Sequence, residues 1–356
     1  AGPAQIELVT IDWLRKICGL PETAGGLFVS GGSVANITAL AVARQKCLGD
    51  DFRNGMVYMS DQTHSSVRRG LRLLGFAPDQ LVIIPSDDDY RIPLDDLANR
   101  VETDRATDRT PFCIVANAGT TNTGSIDPLP ELADLCSHEG LWLHADGAFG
   151  AAAALCPRGK KLLAGLDRVD SLSLDPHKWL FQPFECGVVL VRDREHLRET
   201  FHVLPEYLRD LEGESEEVNF YDYGIQLTRG FRALKLWMSI QVFGLGAFRA
   251  AIERGIALAE HAEAILRDRS HWEVVSSACM GVITFRCIPS DGRDVDGYNR
   301  SLVQPLLEDG FALVMTTEIK GRTVLRFCTI NPRTTEEDIL QTIERLEYFA
   351  NQTRLL

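Results

Sequence analysis

The sequence predicts an α/β fold: a mostly parallel sheet covered on both faces, followed by a smaller α+β lobe. Three observations carry this. Short apolar runs alternate with helical patterns through the first part of the chain. Stretches bearing Gly, Ser, Asp or Lys follow several of those runs, and open α/β sheets bind ligands beyond the carboxyl ends of their strands. Past about Phe248 the pattern changes to that of an α+β lobe.

Ile6 to Leu20 reads as an amphipathic helix, with Ile6, Leu8, Val9, Trp13, Leu14 and Ile17 favouring one side. Leu27 to Val29 is a short strand; Ser30-Gly31-Gly32-Ser33 follows, then a helix from Val34 to Cys47. Met56 to Met59 reads as a strand, Ser65 to Leu74 as a helix, Gln80 to Ile84 as a strand and Leu94 to Thr103 as a helix. Phe112 to Asn117 is a buried-type strand, Leu129 to Glu139 a helix, and Leu141 to Ala145, Ser171 to Leu174 and Gly187 to Val191 are strands. A long helical pattern runs from Leu227 to Arg254, interrupted near Gly244. Beyond it, Trp272 to Val275, Val282 to Cys287, Ala312 to Thr316 and Val324 to Cys328 read as strands, with helices at Tyr298 to Leu307 and Glu336 to Gln352. These place a large domain at 1–248 and a small one at 249–356. The acidic stretch Asp210 to Glu217 reads as a mobile loop.

The chain has 356 residues, 45% hydrophobic and 24% charged, which suits a soluble globular protein with a large core. A net charge of −13 argues against nucleic-acid binding, because phosphate backbones demand clustered Lys and Arg. Nine cysteines, an odd number without close pairs, indicate a reduced, cytoplasmic thiol set. No apolar run approaches the ~20 residues that span a membrane, and no signal peptide is visible. The chain opens at Ala1 without Met, so further sequence upstream is expected.

The chemistry concentrates in His144-Ala145-Asp146-Gly147-Ala148 and Asp175-Pro176-His177-Lys178-Trp179. A lone lysine is usually a solvated charge, but Lys178 sits at a junction between two strands with apolar neighbours, where an amine becomes a competent nucleophile. An isolated aspartate at a strand end is usually a helix N-cap. Gly147 and Ala148 instead leave room for a flat ring beside Asp146. A lysine to hold an aldehyde and a carboxylate to hold a pyridinium are what pyridoxal 5′-phosphate (PLP) requires. His64 is positioned to stack on such a ring or to meet a substrate carboxylate, although a lone histidine is more often structural. Gly31-Gly32-Ser33 before a helix reads both as an N-cap at Ser33 and as a phosphate cradle. Thr120, Thr121 and His177 complete the candidate hydrogen bonding.

Taken together, Gly31-Gly32-Ser33, Asp61-Gln62-Thr63-His64-Ser65-Ser66, Gly119-Thr120-Thr121, His144 to Ala148 and Pro176 to Trp179 occur in the order of a known family. Pro205-Glu206-Tyr207-Leu208, Arg229-Gly230-Phe231-Arg232 and Leu325-Arg326-Phe327 follow. The chain resembles the group II PLP-dependent amino-acid decarboxylases, in particular the aromatic-L-amino-acid decarboxylase branch, over nearly its whole length.

That resemblance implies an aspartate-aminotransferase-like fold (PLP fold type I), with a seven-stranded, mostly parallel sheet in the large domain. It implies a homodimer with sites at the interface. It casts Lys178 as the lysine that holds PLP, Asp146 as the pyridinium partner, and Ala148 and His64 as the two ring-face contacts. Gly32, Ser33 and His177 become phosphate-site residues, with Thr120 near the ring. Tyr207 corresponds to the loop tyrosine that protonates the α-carbon after carbon dioxide leaves. Two departures stand out. Asp175 lies where animal relatives often carry Asn beside the phosphate, so its charge must point away or find a cation. The family's N-terminal helical segment is not within the sequence read here and is expected upstream of Ala1. The implied reaction is α-decarboxylation of an L-amino acid, an aromatic one. Aldehyde synthases of the same family tend to replace the loop tyrosine or the stacking histidine, and Tyr207 and His64 speak against that alternative. An acidic substrate is the other alternative, disfavoured because no extra Arg is evident to hold a distal carboxylate. Thr228, before Arg229, is expected at the substrate end of the pocket.

Overall fold

The computed structural model describes residues 2–203 and 218–353. They cluster into two compact units, Ala1–Ala118 with Ile126–Phe248, and Gly119–Ser125 with Arg249–Leu356. Tyr207 and the acidic stretch Asp210 to Glu217 lie outside the described residues.

In chain order the first unit comprises α1 (Gly2–Ile17), β1 (Gly25–Val29), α2 (Gly32–Leu48), β2 (Gly55–Ser60), α3 (Ser65–Leu73), β3 (Leu81–Ile84) and α4 (Leu94–Ala106). It continues with β4 (Thr110–Asn117), α5 (Leu129–Glu139), β5 (Trp142–Asp146), α6 (Pro157–Leu162), β6 (Ser171–Leu174), α7 (Pro176–Trp179), β7 (Gly187–Val191) and α8 (Glu195–Phe201). α9 (Ala233–Arg267) then carries the chain into the second unit, and within it Gly244 leaves helical geometry (φ 72°, ψ 156°).

The seven strands form one sheet in the order β1-β7-β6-β5-β4-β2-β3. β7 is antiparallel to β1 and β6, and the remaining pairs are parallel, so six strands share one direction. β1, β2, β5, β6 and β7 are buried along their whole length, as expected of strands covered on both faces. α2 packs across β5, β6 and β7. Its small residues Ala35, Ala39 and Ala43 are fully buried and allow that close approach. The consequence for function is geometric: six strands end at one edge, and the loops after them converge there.

A buried ion pair ties α1 to this sheet. Arg229 Nη2 donates to Glu7 Oε1 (2.5 Å) and to the Phe28 carbonyl (2.6 Å), and Arg229 Nη1 donates to Glu7 Oε2 (3.1 Å). Glu7 Oε1 also accepts the Phe28 N–H at 2.8 Å. Both side chains are almost wholly buried. Removing one partner strands the other charge in the interior. Glu7→Ala is therefore expected to lower stability by about 3–5 kcal/mol, read as a lower urea midpoint, with Glu7→Gln costing less.

The second unit contains β8 (Trp272–Cys279), β9 (Val282–Cys287), α10 (Val295–Ser301), α11 (Val303–Asp309), β10 (Met315–Ile319), β11 (Arg322–Cys328) and α12 (Glu336–Thr353). Its antiparallel sheet has the order β10-β11-β9-β8. Phe285 packs edge-on against Trp272 and Phe327 in a core shared with Leu302, Leu306, Ile343 and Leu346.

Several element limits differ from the sequence reading. The single helix expected at Tyr298 to Leu307 is two, because Pro305 has no N–H for the helical bond back to Ser301. The strand expected at Ala312 to Thr316 begins at Met315, its register set by a two-residue turn at Lys320-Gly321 with φ of 48° and 73°. A similar turn at Met280-Gly281, with φ of 50° and 76°, extends the strand expected at Trp272 to Val275 as far as Cys279. The helix expected from Leu227 starts at Ala233 and runs to Arg267. Among the described residues no helix is long and apolar enough to cross a membrane.

Candidate active site

Asp146 ends β5 beside Ser173 of the parallel strand β6. Two residues past Ser173 comes Asp175, and one helical turn later Lys178 on α7. The lysine and the aspartate singled out in the sequence thus follow neighbouring strands at one sheet edge. Asp146 is not a helix N-cap. Its Oδ1 accepts the Ala148 N–H (3.2 Å) and the Ser173 hydroxyl (3.0 Å), and its Oδ2 accepts Asn36 Nδ2 (2.9 Å). It is buried and bonded to three neutral donors. Three hydrogen bonds fix where that carboxylate points.

Asn36, on α2, is a residue the sequence reading missed. Its Nδ2 also reaches Ser66 Oγ (3.1 Å), and its Oδ1 lies 3.1 Å from His144 Nε2. Ser66 Oγ lies 2.8 Å from Nδ1 of His64, the exposed N-cap residue of α3. His144 Nδ1 meets Ser171 Oγ at 2.9 Å. Burial drives the His144 pKa down to about 4, outweighing the pull of the Asp146 charge. An unfolded histidine titrates near 6.5, so between these values the unfolded chain takes a proton that the fold refuses. The stabilising contribution is complete above about pH 6.5 and is lost as the pH falls toward about 4. His144→Gln is expected to flatten the fall in urea midpoint across this window relative to the parent, by up to about 1.4 kcal/mol per pH unit.

A second brace was equally invisible in the sequence. Asp127 Oδ2 accepts the Asn117 N–H (2.6 Å) and Nδ2 (2.9 Å), and its Oδ1 accepts the Ile92 N–H (2.8 Å). Asn117 Nδ2 also reaches Ser60 Oγ at 3.1 Å, fixing the start of the loop that presents His64. Burial pushes Asp127 up to about 6.

The junction holding Lys178 is one turn of helix, not a bare loop between strands. Lys178 Nζ lies 3.1 Å from Asp175 Oδ2, with the lysine side chain 37% exposed and the aspartate 2%. His177 Nδ1 accepts the Cys186 N–H (2.9 Å), which leaves the ring proton on Nε2, 3.5 Å from the same Asp175 oxygen. Asp175 has thus found its cation. Burial alone would raise its carboxyl, but the His177 hydrogen bond and the Lys178 charge hold it below the usual range.

The N-cap of α2 is Gly31 rather than Ser33, and no side chain caps that end. Ser33 lies inside the helix and is exposed. A Cβ on Gly32 would sit 2.9 Å from both Ala148 Cβ and Asp175 Oδ2, and one on Gly31 would sit 3.0 Å from His177 Cε1. Asp175 Oδ1 is buried with no partner among the described residues. An uncapped helix start beside a cradle that only glycine allows fits a phosphorylated ligand, and the orphaned Asp175 oxygen, which can only accept, calls for a donor other than the phosphate. PLP has that form.

Thr120 is buried and bonds Thr123 Oγ1 at 2.8 Å within the Gly119–Ser125 segment, which clusters with the second unit. Thr228 is exposed.

Comparison with known proteins agrees with this geometry. Residues 2–288 match the family model described as the pyridoxal-dependent decarboxylase conserved domain. The chain is 50% identical, over its full length and 75% of the relative's, to an aromatic-L-amino-acid decarboxylase of Bacillus atrophaeus. Among solved structures it is similar to Oryza sativa TDC with PLP and tryptamine (TM-score 0.92, 30% identity, 99% of this chain and 76% of that one). It is also similar to Catharanthus roseus tryptophan decarboxylase in complex with L-tryptophan (TM-score 0.90, 27% identity, 99% and 76%). A family match over most of the chain, on a fold whose sheet edge gathers the lysine, the carboxylate and the cradle, makes this protein a member of the pyridoxal-dependent decarboxylases.

Proposed function

We infer that this protein catalyses the α-decarboxylation of an aromatic L-amino acid with PLP, giving the corresponding amine and carbon dioxide. The observation that carries the reading is the placement of Lys178 and Asp146 after adjacent parallel strands. The half-identical Bacillus aromatic-L-amino-acid decarboxylase supports the aromatic substrate. When bound, PLP supplies an electron sink, taking an amine at its aldehyde and drawing electrons into its protonated ring.

The chain's own residues do the rest. Lys178 would hold the cofactor through its amine, the one nucleophile the site offers an aldehyde among the residues named here. Asp146 keeps a proton on the ring nitrogen, and its three hydrogen bonds fix where the charge points. Ala148 and His64 would contact the two faces of the ring, as the resemblance implies. Gly32, Ser33 and His177 serve the phosphate, and Asp175 orients His177 and Lys178. We assign to Tyr207 the return of a proton to the α-carbon, and to Thr228 a contact near the substrate side chain. Both assignments rest on the resemblance.

We also infer a homodimer. Met238 and Val242 lie on one face of α9 and are exposed, as are Leu245 just past the Gly244 break, Ile225 and Leu227. Phe184 is 82% exposed and its ring lies 5.2 Å from that of His177, so an exposed apolar side chain also adjoins the site. Exposed apolar area of this kind marks an interface. Cytoplasmic residence follows from the cysteine usage; Cys18, for example, behaves as an apolar group whose thiol burial pushes up to about 12.

The test is turnover of tyrosine, tryptophan, dihydroxyphenylalanine, phenylalanine, histidine and glutamate, with carbon dioxide, amine, aldehyde and peroxide all measured. Equal yields of amine and carbon dioxide from an aromatic substrate are expected. Aldehyde with peroxide, or a preference for glutamate, would overturn the reading.

A further inference from the structure

We propose that Asn36 is a positioning residue that orders the protons of the site, fixing Asp146 and, through Ser66, the tautomer of His64. The proposal deepens the PLP reading and rests on it for Asp146 and His64 as ring partners. Its hydrogen-bond logic needs only the chain.

Some groups of this network have no choice of role. An ionised Asp146 carboxylate can only accept, so the Asn36 amide must turn its Nδ2 toward it. The second Nδ2 hydrogen then goes to Ser66 Oγ, and Asn36 Oδ1 must accept from His144 Nε2. At the far end, the Trp142 indole can only donate, and it does so to Ser171 Oγ at 2.8 Å. Ser171 therefore turns its own proton to His144 Nδ1, which agrees with a neutral His144 carrying its proton on Nε2. On the other arm, Ser66 Oγ accepts from Asn36 and donates to His64 Nδ1, which also accepts the Ser66 N–H at 3.3 Å. His64 is left with its proton on Nε2, the nitrogen free to meet a substrate. Each proton in this chain has one place consistent with its neighbours. Asn36 is the branch point, joining β5, α2 and the start of α3.

Asn36→Asp keeps the shape but sets a second carboxyl against Asp146 Oδ2, so the two share one proton, held between them. The oxygen that then faces Ser66 can only accept, so Ser66 would turn its proton toward it, and His64 Nδ1 would have to carry its own. Ser66→Ala cuts only the His64 arm. The measurement is histidine ¹⁵N NMR of the protein without added cofactor, in alkaline buffer well above the range in which imidazoles titrate. The parent protein is expected to show His64 as the Nε2–H tautomer, Asn36→Asp to convert it largely to Nδ1–H, and Ser66→Ala to give a mixture. A role limited to packing would not invert a tautomer. In parallel, Asn36→Leu is expected to weaken PLP binding at least about tenfold by absorbance titration, because Asp146 loses one of its fixing donors. His64 as Nδ1–H in the parent, or unchanged His64 signals in Asn36→Asp, would overturn the proposal. A parent protein that does not bind PLP would instead sink the functional reading, and the tautomer measurement would still decide the role of Asn36.

Discussion

Lys178→Ala is expected to lose decarboxylation by at least about 10³-fold and to lose covalent attachment of the cofactor. The reason lies in what Nζ does: among the described residues it is the amine set beside the cradle formed by Gly31, Gly32 and Ala148. The alanine variant carries a second effect, because Asp175 is 2% exposed and loses its cation. A buried carboxylate left with only a long contact to His177 destabilises the fold, so lost activity alone is ambiguous. Lys178→Arg separates the two effects. The guanidinium keeps a cation beside Asp175 but is not a nucleophile at any working pH. The arginine variant is expected to keep a near-parent urea midpoint and to be as inactive as the alanine variant. Activity within tenfold of the parent in either variant would remove Lys178 from the reaction.

Asp146→Asn is expected to lower kcat by about 10²–10³-fold with a smaller effect on folding. The amide fits the same space, and its oxygen still accepts from Ser173 and the Ala148 N–H. What it lacks is the charge that keeps a ring nitrogen protonated. The second oxygen matters as well. Asn36 donates to it, and an amide NH₂ there would face the Asn36 NH₂, so one of the two must turn. Steady-state kinetics beside PLP titration distinguish the two consequences. A fall in kcat that persists at saturating cofactor is expected; a defect cured entirely by excess PLP would mean that Asp146 serves binding alone.

Much of this was legible in the sequence for a physical reason. The strands of the large sheet are buried on both faces, so they read as continuous apolar runs such as Leu27 to Val29 and Gly187 to Val191. The main site residues sit in the short stretches after those runs, where a parallel sheet must bring them together. Lys178, His177 and Asp175 share one turn, and Asp146 and Ala148 share another, so local sequence sufficed for each. The residues that tie these pieces together were not legible. Asn36 bonds partners 30, 108 and 110 positions away, and nothing in its helical surroundings marks it. The Asp127 brace and the Glu7–Arg229 pair are likewise visible only once the chain is folded. In the smaller unit the misplaced limits trace to local chemistry that was present but unread: Pro305 splitting a helix, and Met280-Gly281 and Lys320-Gly321 setting hairpin registers.

Borohydride fixation of PLP-loaded protein, followed by peptide mass mapping, tests the central claim most directly. One reduced pyridoxyl adduct per chain is expected, on the peptide carrying Asp175-Pro176-His177-Lys178 and on the Lys178 nitrogen. An adduct on any other lysine, or a loaded protein that reduction leaves unmodified, would contradict it.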